Sequence, residues 1–104
     1  MVKISSDTIF LQLFHDNIDD DKVLLKLLSA AKLKDLLIIF ELSKNILVGN
    51  VPISTKTKNQ LRNFEFDLIK LSKKSKLINK KVNILKKNIK LFKTLIGIGG
   101  DFIL

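Results

Sequence analysis

The strongest periodic pattern in this chain lies in the stretch INKKVNILKKNIKLFKTLI, residues 78–96. Apolar residues recur in it at alternating steps of four and three, which is the spacing of one face of an α-helix. The residues of this apolar seam are Ile78, Val82, Leu85, Ile89, Phe92 and Ile96. The pattern predicts a long, basic amphipathic helix in the carboxy-terminal half, closed by Gly97 as its C-cap.

Lysines occupy the opposite side of the same predicted helix. Residues three and four apart lie about 5–6 Å from each other on a helix surface, so a row of such cations can follow a phosphate backbone. The candidate nucleic-acid-binding residues are Arg62, Lys73, Lys74, Lys76, Lys80, Lys86, Lys87, Lys90 and Lys93. Lysine is a point charge and the chain has a single arginine, which predicts binding with low sequence specificity. Lys74 and Lys81 fall toward the apolar side of the helix.

The amphipathic pattern is consistent with three other uses. The seam can pair with a second copy of the chain, giving a self-associating scaffold that does not bind DNA. A basic amphipathic helix can also lie on an anionic membrane surface, and a lysine face can simply be the solvated side of a bundle helix. The apolar arc is widened on one side by Leu77, Ile84, Leu91 and Leu95, which favours packing within the protein's own bundle.

The charge of the chain is concentrated in its second half. Residues 1–50 carry six lysines against seven acids, a net charge of −1. Residues 51–104 carry twelve lysines and one arginine against three acids, a net charge of +10. Together they account for the overall +9. A split of this kind indicates that the second half engages DNA or another polyanion.

The upstream residues predict further helices and no strand, because no segment alternates with a period of two. We expect helices from about residue 6, over 20–30, over 31–48, and from Ser54 or Thr57 onward. At 104 residues the chain has the size of one domain. The prediction is therefore a single all-α domain, residues 1–104, built as a small bundle of four to five helices with a near-neutral half and a basic half.

The segment LVGNVPIST, residues 47–55, is predicted to join the two halves. Gly49 is placed to end the long apolar helix in a left-handed C-cap. Pro52 favours an extended conformation at Val51, and Ser54 or Thr57 is placed to cap the next helix. This interpretation makes the segment a hinge and leaves no need for a ligand loop.

Few residues are suited to catalysis or cofactor binding. The chain has no cysteine and one histidine, His15, so cysteine nucleophiles and thiolate metal sites are excluded and no acid–base pair can be assigned. The aspartates at 19–21 lack the spacing of a calcium loop. The glycines at 97–100 follow a predicted helix, whereas a phosphate loop precedes one. We expect a non-enzymatic protein without metal or cofactor, inside the cell, with neither a signal peptide nor a membrane span.

Several short motifs occur in a recognisable order from about Leu28 onward. They are Asn45-Ile46-Leu47, Gly49-Asn50-Val51-Pro52-Ile53-Ser54, Lys58 to Leu61-Arg62, Lys73-Lys74-Ser75, Lys80 to Lys93, and Gly99-Gly100 before Phe102-Ile103-Leu104. This order resembles the short basic proteins encoded by Polinton/Maverick-type elements and the related adintoviruses. It departs from the family pattern at Asp101, which separates the glycines from the phenylalanine.

The resemblance implies a biological setting. Proteins of this type are similar to the small basic core peptides of adenovirus-like virions, which implies a genome-associated protein in the virion or the host nucleus. In that setting Leu95-Ile96-Gly97-Ile98 before Gly99 also resembles the cleavage pattern of adenovirus-type maturation proteases. The alternative is that these glycines end the last helix.

Overall fold

The computed structural model describes residues 6–73 and 77–102, with side chains from residue 9 onward. These residues form seven helices and no strand, so the all-α prediction is confirmed and the predicted count of four to five helices is too low. The helices are α1 (Ser6–Asp16), α2 (Asp21–Ala30), α3 (Leu33–Leu47), α4 (Thr55–Arg62), α5 (Glu65–Ser72), α6 (Ile78–Lys87) and α7 (Ile89–Phe102).

Helix α3 lies at the centre of the bundle and packs against α1, α5 and α7. Its buried face includes Leu36, Ile39 and Leu42. Ser43 is also buried, and its hydroxyl donates to the Ile39 carbonyl oxygen, so this polar group is satisfied inside its own helix. The central position agrees with the nearly all-round apolar sequence of this helix.

Two predicted helices are each divided by a break. The one from Ser54 onward is divided between α4 and α5 at Asn63-Phe64, where the Phe64 amide donates to the Leu61 carbonyl in a turn. The basic helix is divided at Asn88, whose φ of −117° and ψ of 69° leave the helical region. The periodic pattern continues across Asn88 because Ile89 still packs against the core. Periodicity alone therefore could not reveal this break.

The helix ends follow short-range chemistry visible in the sequence. Asp20 and Ser54 act as N-caps, accepting hydrogen bonds from the amides of Val23 and Thr57. Gly49 has a φ of +79°, and the amides of Gly49 and Asn50 donate to the carbonyls of Ile46 and Asn45. That pair of bonds is a Schellman motif, so the predicted left-handed C-cap is confirmed.

Gly97 does not end the last helix, which continues to Phe102. The two glycines that follow Gly97 lie where α7 packs closely against side chains of α1. A Cβ atom on Gly99 would lie 3.3 Å from the Leu11 side chain, and one on Gly100 would lie 2.4 Å from the His15 ring. The glycines therefore serve as contact points between helices, and a C-cap at Gly97 is a wrong prediction.

Candidate nucleic-acid interface

The apolar seam of residues 78–96 packs inside the protein itself. Leu85, Phe92 and Ile96 are fully buried, and the other three members, Ile78, Val82 and Ile89, are partly buried against the same core. The Phe92 ring meets the Phe14 ring edge-on at 5.0 Å, which joins α7 to α1. An oligomer or a membrane surface using this seam would compete with that packing, and self-association stays a prediction.

The predicted basic residues that the structure describes lie on four different parts of the fold. Lys80, Lys86 and Lys87 are exposed on α6, and Lys90 is exposed on α7. Arg62 is exposed at the end of α4, and Lys73 is exposed directly after α5. Lys74 and Lys76 lie outside the described residues. Because Asn88 separates α6 from α7, the single continuous row of lysines predicted from the sequence is divided between two helices.

Lys93 differs from the other predicted ligands because it is ion-paired. Its ammonium group contacts the carboxylate of Asp21, at the first turn of α2. Both side chains keep part of their surface in solvent, so the pair is worth about 0–1 kcal/mol. Within residues 9–73 and 77–102 this is the one ion pair, so Lys80, Lys86, Lys87 and Lys90 have no carboxylate partner there.

Lys90 and Lys93 lie on the wall of a groove between α4 and α7, with a volume of about 480 Å³. We call this the α4–α7 groove. Its lining residues are Gln60, Asn63, Phe64, Lys90, Lys93 and Thr94. The groove therefore combines two ammonium groups, two side-chain amides, a hydroxyl and an aromatic ring.

Four members of this groove are absent from the sequence-based candidates: Thr94 on α7, and Gln60, Asn63 and Phe64. Gln60, Asn63 and Phe64 carry no charge that would mark them in the sequence as phosphate ligands. They come from α4 and the turn after it, about thirty residues from Lys90 and Lys93. Only the packing of α4 against α7 brings them together. A local sequence pattern gives no information about a contact between residues so far apart in the chain.

Arg62 belongs to a different surface from Lys90 and Lys93. It lines a second groove of about 480 Å³. The other lining residues are Ile46, Leu47, Ile53, Lys58, Leu61, Glu65 and Leu68. Glu65 offsets one of the two cations in this lining, whereas the α4–α7 groove has two lysines and no acid in its lining, so the second groove is the poorer site for phosphate.

Among the described residues, Lys81 is the one basic side chain that the fold buries, as its position on the apolar side indicates. It is 4% exposed, and its ammonium nitrogen lies 4.6 Å from the centre of the Phe40 ring, a cation–π contact. Burial lowers the pKa of Lys81 below its ordinary value of 10.5, while the negative charge of Glu41 acts in the opposite direction. Lys81 therefore packs against Phe40 of α3 and is not available to a ligand.

The described residues contain no cluster of three histidine, aspartate or glutamate side chains that could hold a metal ion. His15 packs beside Gly100. In the same part of the chain, no helix combines the length and the apolar character that crossing a membrane requires.

The segment that resembles a protease site lies in α7. Leu95 and Ile96 are fully buried there, and Ile98 and Gly99 are buried as well. A protease needs an extended, accessible strand of substrate, so cleavage at this segment would require α7 to unfold locally. The glycines do not end the helix either, because α7 continues through them and Gly99 and Gly100 lie against Leu11 and His15 of α1.

Comparison with known proteins adds no relative: no family model, curated protein or solved structure matches this chain. The charge and geometry of the chain are therefore the observations that bear on its function.

Proposed function

We propose that this protein is a non-enzymatic nucleic-acid-binding protein that contacts the phosphate backbone with low sequence specificity. The observation that carries the proposal is the excess of unpaired, exposed positive charge on α6 and the start of α7. Lys80, Lys86, Lys87 and Lys90 are exposed. None of them forms an ion pair with another described side chain. Residues 51–104 hold thirteen cations against three acids, so a polyanion is the natural counter-ion.

The composition of this surface supports backbone contact over base reading. Arg62, the only arginine, lines a groove next to Glu65. Reading guanine in a major groove relies on a bidentate arginine or a well-placed lysine. Lysines along α6 can neutralise phosphates without fixing the sequence, and each such contact releases counter-ions, so affinity falls as salt rises.

The resemblance to the basic proteins of Polinton/Maverick-type elements and adintoviruses supports a setting for this activity. We propose a virus-like core or genome-associated protein that acts in the virion or the host nucleus. A protein that compacts a genome has to neutralise phosphates and bind DNA of any sequence. Lysines on a surface provide this kind of binding, because they contact the phosphates and not the bases.

A salt titration with duplex DNA tests the proposal. Wild-type protein is titrated into two unrelated fluorescent duplexes between about 50 and 200 mM salt. We expect similar affinity for both, with a logarithmic slope that steepens by about 0.9 for each phosphate contacted. Replacing Lys80, Lys86, Lys87 and Lys90 by glutamine should weaken binding to both duplexes and reduce the slope by about 3 to 4.

A matched variant controls for net charge. Lys22, Lys26, Lys34 and Lys44 are exposed on α2 and α3, so replacing these four by glutamine makes the same change in charge on the near-neutral half. That variant should keep most of the wild-type affinity and salt slope. Absence of binding at low salt, or equal losses for the two sets of four, would reject the proposal.

A further inference from the structure

The α4–α7 groove offers different chemistry on its two sides. From α7 come the ammonium groups of Lys90 and Lys93 and the hydroxyl of Thr94. From α4 and the turn that follows it come the amides of Gln60 and Asn63 and the ring of Phe64. Positive charge therefore faces amide and aromatic groups across the same space.

The polar groups of this groove keep most of their bonding capacity. Neither the Gln60 nor the Asn63 side-chain amide hydrogen-bonds to another described residue, and both residues are exposed. The Thr94 hydroxyl donates to the Lys90 carbonyl at 2.8 Å, which leaves its oxygen free to accept. The ammonium group of Lys93 contacts the Asp21 carboxylate, but it has three donors and can contact a second anion as well.

A nucleotide has the complementary set of groups. Its phosphate pairs with ammonium groups, the edge of its base bonds to side-chain amides, and its flat face packs on an aromatic ring. The groove volume of about 480 Å³ lies within the usual range of small-molecule sites. In a duplex the bases are paired and stacked, so a base can enter such a groove only from a single strand or after costly extrusion.

We propose that the α4–α7 groove holds one unstacked nucleotide of single-stranded nucleic acid, with Phe64 against the base and Lys90 and Lys93 at the phosphate. This inference rests on the proposed function and sharpens it. The lysines of α6 follow the backbone of either form of nucleic acid, and the groove gives the protein a preference for single strands.

The test compares two probes with the same number of phosphates, a labelled oligothymidylate and a labelled duplex. Wild-type protein should bind the single strand more tightly. Phe64→Leu keeps an apolar side chain against the core and removes the ring, and should weaken single-strand binding by about 5- to 150-fold with little change for the duplex. Phe66→Leu is the matched control, because Phe66 is two residues away, 78% exposed and outside the groove lining.

A second variant covers the case in which Phe64→Leu fails to fold. Gln60 and Asn63 are exposed, so replacing both by alanine removes the amides without touching the core. It should lower single-strand affinity by roughly 2- to 10-fold and leave the duplex affinity unchanged.

The outcomes separate the groove from the backbone surface. Salt-dependent binding of both probes without a single-strand preference, or a loss on Phe66→Leu that equals the loss on Phe64→Leu, overturns the groove assignment and leaves the proposed function standing. Failure to bind either probe at low salt overturns both.

Discussion

Gly100 of α7 lies against the His15 ring of α1, and its missing side chain makes the contact possible. A Cβ atom there would lie 2.4 and 2.7 Å from two atoms of the His15 ring, far inside normal contact distance. A Cβ atom on Gly97, one helical turn earlier, would have no neighbouring atom within 4 Å. Two glycines of one helix therefore differ in what an added methyl group would meet.

We expect different effects from alanine at these two positions. Gly100→Ala should be less stable than Gly97→Ala by about 1–3 kcal/mol, because the His15 imidazole has to move to make room for the methyl group. Gly97→Ala should stabilise the protein by up to about 1 kcal/mol, because alanine loses less entropy in a helix and meets no neighbour. Urea unfolding of both variants measures the difference.

A double mutant gives the control for Gly100. If His15 is the obstacle, His15→Ala should recover much of the stability lost in Gly100→Ala. Equal stability of Gly100→Ala and Gly97→Ala would show that the α1–α7 contact is looser than the structure has it.

Lys81 is the other residue whose role depends on its surroundings. Its pKa is lowered by burial, so the folded protein binds this proton less tightly than the unfolded chain does. In the window between the lowered pKa and the ordinary value of 10.5, the unfolded state therefore carries more protons. The free energy of unfolding therefore rises with pH across this window, and below the window Lys81 adds no dependence on pH.

Lys81→Met tests this reasoning, since methionine fills similar space without a charge. We expect the variant to lose the rise in stability with pH and to be at least as stable as wild type at neutral pH. Lys80→Met, at the exposed neighbouring position, should keep the rise. Urea midpoints at neutral and alkaline pH provide the measurement, and identical pH dependence for wild type and Lys81→Met would contradict the prediction.

At the scale of elements, the break at Asn88 sets the direction of the last helix. The Asn88 side-chain amide donates to the Asp67 carboxylate at 2.9 Å, which joins the α6–α7 junction to α5. The Asn88 carbonyl accepts from the Phe92 amide and so begins α7. The direction of α7 decides where Lys90 and Lys93 stand relative to α4, so this bond positions the α4–α7 groove.

A double-mutant cycle on Asn88 and Asp67 measures the bond. Alanine at Asn88 also raises helix propensity, so the coupling energy is a better measure than the single change. We expect a coupling of about 0.5–1.5 kcal/mol between Asn88→Ala and Asp67→Ala. Asn83→Ala, exposed in α6, is the control and should show no coupling to Asp67→Ala. A coupling near zero for Asn88 as well would mean that the junction is held by apolar packing alone.

At the scale of the whole molecule, the two halves of the chain share one core. Phe92 and Leu95 of the basic half belong to the same buried cluster as Leu11, Phe14 and Ile39 of the near-neutral half. The helices of the basic half are 8 to 14 residues long. Isolated helices shorter than about 12–15 residues are marginal in water, so this half depends on its partner.

We therefore expect a fragment of residues 51–104 to remain largely unfolded by itself. Circular dichroism should show low helix content and no cooperative thermal transition, whereas the full chain should show both. A mixture with a fragment of residues 1–50 is the control, since recovery of helix signal would demonstrate the shared core. Cooperative unfolding of the 51–104 fragment alone would show that the chain contains two independent units.

Much of the helical structure could be predicted from local chemistry. The caps at Asp20, Ser54 and Gly49 depend on residues within five positions of each other, so the sequence displays them directly. The breaks at Asn63 and Asn88 were not predicted, because the apolar period runs through both. The bond that accompanies the second break joins residues 21 positions apart.

The sequence by itself determined the helical class, the junction at Gly49 and the concentration of charge in residues 51–104. Each of these depends only on composition or on the spacing of residues close together in the chain. The sequence placed Lys81 toward the apolar side, and only the tertiary structure decided that it packs against Phe40 and that Lys90 and Lys93 share a groove with Phe64. The physical reason is that burial and side-chain meetings depend on how helices pack, and the contacts that set that packing join residues far apart in the chain.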